Sequence, residues 1–169
     1  TKSYSSAKLT NFTRQILFIF SDYFIVFDKV NSTNKDFTKK WLLHTVNEPK
    51  IENNQIIVAN GEGKLFCKPL YPIDTVISKV GGKGEEFLVD GKNYAHNGEL
   101  FEGNIPGNWR IEIKPSLPAK EDIFLNFLYV SNKNNNIIPN SERIKASRGA
   151  GVYLDLGERK WAVIFAQGE

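Results

Sequence analysis

The stretch DYFIVFDKV, residues 22–30, limits the possible folds more than any other segment. In an extended strand Phe24 and Val26 share one face, while Tyr23, Ile25 and Phe27 share the other. Both faces are apolar, so the segment belongs inside a sheet that is covered on both sides. NFTRQILFIF, residues 11–20, runs just ahead of it, with only Ser21-Asp22 between. Two runs rich in aromatic and β-branched residues, so closely spaced, predict an antiparallel hairpin.

The rest of the chain continues in the same manner. FTKKWLLHTV (37–46) is a strand, and PKIENNQIIVAN (49–60) is a hairpin turning at Asn53-Asn54, because asparagine tolerates the left-handed conformation. GEGKLFCKPLYP (61–72) is a short strand stopped by prolines. DTVISKV (74–80) and EEFLVDG (85–91) alternate with period two around a GGKG turn. In WRIEIKP (109–115), Trp109, Ile111 and Ile113 alternate with Arg110, Glu112 and Lys114. DIFLNFLYVS (122–131) is apolar enough to be central, NKNNNIIPNSE (132–142) reads as a polar loop, and GAGVYLDLG with KWAVIFAQ closes the chain as a hairpin around Glu158-Arg159. No segment carries a convincing helical period. The expectation is an all-β fold, an antiparallel β-sandwich of about ten to twelve strands, formed by residues 1–169 as a single domain. A closed barrel is the alternative.

Composition narrows the function classes. The net charge of +3, from 22 basic and 19 acidic residues, lacks the dense basic stripe of a dedicated nucleic-acid binder. No apolar run reaches about 18 residues, so no membrane-spanning helix is expected. TKSYSSAKLTNF at the start has no apolar core of a signal peptide. Methionine is absent throughout, which reads as a fragment or processed product of a larger multidomain protein.

Candidate chemistry is sparse. His44 and His96 are far apart, with no HxH or HExxH spacing, and the single Cys67 has no CxxC partner, so no metal site is expected in the chain. GGKGEE lacks the full phosphate-loop pattern and no helix follows it. In a strand, His44 shares a face with Lys40, Leu42 and Val46. It is either a sheet-end histidine held by a backbone carbonyl or a group on a substrate-facing surface, where a histidine beside a lysine suits an anionic sugar. His96 falls in the irregular segment 92–108 and reads as a solvated loop residue. Arg14 and Arg110 form surface ion pairs or hold a sugar carboxylate or sulfate, which a bidentate guanidinium fits. Trp109, on a half-apolar strand, packs or stacks on a sugar ring. The candidate substrate-binding set is therefore His44, Lys40, Arg14, Trp109 and Arg110. No catalytic residue and no metal ligand is assigned.

NFTRQILFI, DYFIVFDKVNSTN, FTKKWLLHTVNEPKI, NGEGKLFCKPLYP, KVGGKGEEFLVDGKNY and GNWRIEIKPSLPAKEDIFLNFLYV follow one another in an order that resembles the C-terminal portion of heparinase II/III-like proteins, over residues 1–131. The resemblance implies stacked antiparallel sheets that follow an N-terminal helical toroid in a polysaccharide lyase. It implies β-elimination of an acidic, uronic-acid-containing polysaccharide, with a tyrosine and a histidine as base and acid. Those catalytic groups, and the ligands of the structural zinc found in some members, would precede residue 1. It also implies that the acidic polysaccharide and the toroid are the partners, with no nucleic acid and no membrane span, and that the protein is periplasmic or secreted. The alternative, from another class, is a stand-alone carbohydrate-binding or adhesive sandwich.

Overall fold

The structure, a computed structural model, describes residues 5–94, 107–147 and 149–166. His96 lies outside the described residues. Fourteen strands are present among them: β1 Leu9–Ile19, β2 Tyr23–Ser32, β3 Trp41–Thr45, β4 Lys50–Glu52, β5 Gln55–Asn60, β6 Gly63–Tyr71, β7 Thr75–Gly81, β8 Leu88–Val89, β9 Lys92–Asn93, β10 Trp109–Pro115, β11 Glu121–Asn132, β12 Asn140–Ala146, β13 Gly149–Asp155 and β14 Lys160–Ala166. The fold is all-β, as expected, and every strand pairing is antiparallel.

A six-stranded sheet in the order β1-β2-β11-β6-β5-β4 forms the middle of the fold. A three-stranded sheet, β3-β10-β7, packs on one face, and a second, β12-β13-β14, packs on the other. The arrangement therefore has three layers rather than the two of a simple sandwich. The reason lies in β2 and β11, whose alternate residues are apolar on both sides. Ile25, Phe27, Leu125 and Phe127 meet Ala150, Val152, Leu154 and Phe165 in one core. Val26 and Phe124 meet Trp41, Ile111 and Ile113 in the other. Phe27 and Phe165 stack with ring centroids 4.8 Å apart. Burying a phenylalanine or leucine side chain completely contributes about 1.5–3 kcal/mol, so both small sheets are held mainly by this interdigitation.

Local chemistry sets the turns. Asn53 and Asn54 both take positive φ, 50° and 60°, in the two-residue turn between β4 and β5. β12 begins inside the stretch 132–142 that reads as a polar loop and runs on through residues to which the sequence assigns no element. Its outer residues face solvent, and pairing to β13 rather than apolar content fixes it as a strand.

Candidate functional site

Four of the five candidate residues lie on or beside the β3-β10-β7 sheet. His44 on β3 is directly opposite Arg110 on β10. Alternation along β10 sends Ile111 and Ile113 into the core and puts Arg110, Glu112 and Lys114 on the outward face. Trp109 belongs to the inward set and sits at the end of the sheet.

Glu112 organises this outward face. Its carboxylate accepts a hydrogen bond from Lys40 Nζ at 2.6 Å on Oε2 and from Arg110 Nε at 2.9 Å on Oε1. Arg110 also donates from its terminal nitrogen to the Leu88 carbonyl at 2.8 Å, tying the β8–β9 hairpin to the sheet. Glu112 is buried although it stands on a half-polar strand. Burial alone raises its pKa, but the hydrogen bonds and charges of Lys40 and Arg110 outweigh burial and hold the carboxyl below its ordinary range. Lys40 and Arg110 thus each have an acidic partner within the protein, and the three groups together carry one net positive charge.

His44 is exposed, and its ring makes no hydrogen bond among the described residues. Among the described residues no backbone carbonyl accepts from its ring. Gly107, at φ 98°, passes close by: a Cβ at that position would lie 3.6 Å from His44 Nδ1.

Trp109 is packed rather than open. The ammonium of Lys79 lies 5.4 Å from its ring centroid, and Lys79 is itself paired with Glu48. The first two glycines of GGKG make room for it. A Cβ on Gly82 would sit 2.9 Å from the indole, and one on Gly81 would sit 2.3 Å from the Asn108 carbonyl oxygen. Close backbone approach, not phosphate binding, accounts for the pair.

Arg14 stands apart on β1. It chelates Asp28 on β2, with Nε 2.7 Å from Oδ1 and the terminal nitrogen 2.5 Å from Oδ2. Its guanidinium also lies 5.6 Å from the Phe12 ring centroid. Cys67 is fully buried, and burial pushes its thiol up to about 12, which keeps it protonated and poorly nucleophilic.

A cavity of about 270 Å³ opens beyond the end of β10, between residues 35–39 and 114–119, with Asp122 of β11 in its lining. Lys39 forms its floor: it is buried, pairs with Asp122 at 2.8 Å and donates to the Ala119 carbonyl at 2.5 Å. Nothing in the sequence singles out Lys39 or residues 114–119 as a site. Only the long-range pairing of β10 and β3 brings them together. Among the described residues, no group of three or more histidine, cysteine, aspartate or glutamate side chains is placed to hold a metal ion.

No family model matches the sequence, and no curated protein matches it. Solved structures do. A mutant of the heparan sulfate lyase HepC from Pedobacter heparinus aligns over 98% of this chain and 25% of its own, with a TM-score of 0.62 and 17% identity. The same lyase without the mutation aligns over 96% of this chain and 24% of its own, with a TM-score of 0.61 and 16% identity. The chain spans about a quarter of the length of the lyase chains it resembles, and across that span it has their fold.

Proposed function

We propose that this chain is the C-terminal β-sheet domain of a heparinase II/III-like polysaccharide lyase. In this reading residues 1–169 form one structural unit, and the parent protein cleaves a uronic-acid-containing polysaccharide by β-elimination. The unit props the catalytic part of the parent and offers the outward face of β3-β10-β7 to the acidic substrate. The parent is periplasmic or secreted. The observation that carries the reading is the fold match, which takes in nearly the whole of this chain and only a quarter of the lyase. A domain that recurs as part of a larger enzyme is expected to keep the surface by which it docks.

β1 has such a surface. It is an edge strand of the six-stranded sheet, 11 residues long. Phe12, Ile16 and Phe18 alternate along one face of it, Ile16 63% exposed, and Phe20 at the turn is 88% exposed. Long apolar edges of this kind invite pairing with a further element. No tyrosine hydroxyl and no carboxylate hydrogen-bonds the His44 ring among the described residues.

The test is a lyase assay on heparan sulfate that follows the ultraviolet absorbance of the unsaturated product. The isolated chain gives none, and the full-length parent gives turnover that is lost when residues 1–169 are deleted. Turnover by the isolated chain would place the proton-transfer groups here and overturn the proposal. A full-length parent whose activity is indifferent to the deletion would overturn it too.

A further inference from the structure

From the cavity at the end of β10 we infer a binding site for one anionic sugar residue, its carboxylate or sulfate held by Lys35 and Lys114. The choice of a sugar rests on the proposed function; the choice of an anion rests on the cavity itself. Lys35 and Lys114 line it, and neither has an acidic partner among the described residues. The third lysine, Lys39, is neutralised by Asp122 beneath. Asp36 also lines the cavity, so its five charged groups sum to one positive charge. That mixture suits a sugar better than a bare anion. Two ammonium groups take the acidic substituent, the Asp36 carboxylate accepts from ring hydroxyls, and Phe37, Leu117 and Pro118 offer apolar surface to the C–H face of the ring. Leu117 is 74% exposed, and burying it is a gain that only a ligand or partner realises.

The walls are fixed before any ligand arrives. Lys39 ties the 35–39 segment to the Ala119 carbonyl. Ser32 bonds the Lys120 carbonyl through its backbone N–H at 2.8 Å and its hydroxyl at 3.1 Å. Ser116 N–H bonds the Asp74 carbonyl at 2.9 Å. A site already ordered loses less entropy on binding. The volume, about 270 Å³, lies just below the usual range of ligand sites and so suits one small ligand rather than an extended one. Lys114 shares the outward face of β10 with Arg110, about 14 Å further along the strand.

The experiment is an amide chemical-shift titration of the protein with three probes: a uronic-acid disaccharide, a sulfated disaccharide without a carboxylate, and a neutral disaccharide. Amides of residues 35–39 and 114–119 shift with at least one acidic probe and not with the neutral one, and the two acidic arms say which group is held. Lys35→Ala and Lys114→Ala each weaken that binding about tenfold, with the thermal midpoint unchanged. Equal shifts by the neutral probe, shifts that map elsewhere, or variants that bind like the parent sequence would overturn the site. None of these outcomes bears on whether the parent is a lyase, which the deletion assay reads independently.

Discussion

Arg110 and Glu112 stand two residues apart on β10 with their side chains on the same face, the Arg110 terminal nitrogen 2.8 Å from Glu112 Oε1. Lys40 from the approach to β3 takes the other oxygen. The carboxylate is the part of this trio most withdrawn from water.

Replacing it tests how much the arrangement holds. Glu112→Gln keeps the shape but leaves Arg110 and Lys40 without their countercharge, and is expected to destabilise the fold by about 1–3 kcal/mol in urea denaturation. The pH dependence has a definite sign. The folded carboxyl titrates below its ordinary value, so its contribution is fully present above about pH 4.5 and is lost as pH falls through the depressed folded value. The unsubstituted chain should therefore lose stability in acid faster than Glu112→Gln, and the gap between them should close.

Lys39 and Asp122 form a buried pair that ties the segment before β3 to β11, and Lys39 also donates to the Ala119 carbonyl. Lys39→Met strands a carboxylate in the interior and is expected to cost about 3–5 kcal/mol. Lys39→Met with Asp122→Leu removes both charges and should recover a large part of that loss. Equal destabilisation by the single and double variants would show that the lost bond to the Ala119 carbonyl, not the ion pair, carries the effect.

Asn126 on β11 is fully buried, and neither atom of its amide head has a hydrogen-bond partner among the described residues. It lies on the same face of β11 as Phe124 and Leu128. Asn126→Leu is expected to raise stability by about 1–3 kcal/mol, read as a higher denaturation midpoint with an unchanged slope.

At Gly81, φ is 142° and the space for a Cβ is filled by the Asn108 carbonyl oxygen and the Trp109 backbone. Gly81→Ala is expected to cost about 1–3 kcal/mol. It should also raise the fluorescence sensitivity of Trp109 to a soluble quencher, since the β7–β10 pairing beside the indole must open. Gly84→Ala, also at positive φ (89°) but with open space around its Cβ position, is the control that carries the backbone strain without the clash and should cost less.

Much of the strand order is legible from local pattern. The β1–β2 hairpin, the Asn53-Asn54 turn and the alternation of β10 each follow from a few consecutive residues. The two-sided apolar character of β2 and β11 already requires cover on both faces. What pattern does not say is that the cover comes from two different sheets, because that depends on which distant strands pair. β12 is missed for a related reason: NSERIKA has almost no apolar face, and only its partner makes it a strand. In the candidate site, the pairing of Arg14 with Asp28 and the packing of Trp109 against Gly82 rest on cross-strand neighbours that spacing along the chain does not reveal. Lys39 is the plainest case, since its partners Ala119 and Asp122 lie some eighty residues away.

The two cores share their central strands. Phe124 faces one and Leu125 the other, one peptide bond apart. Neither small sheet can detach without wetting one side of β2 and β11, so loss of either should lower the protection of the same amides. Hydrogen exchange is then slowest along β2 and β11 and reports the unfolding of both outer sheets as one event, although those sheets occupy opposite faces of the molecule.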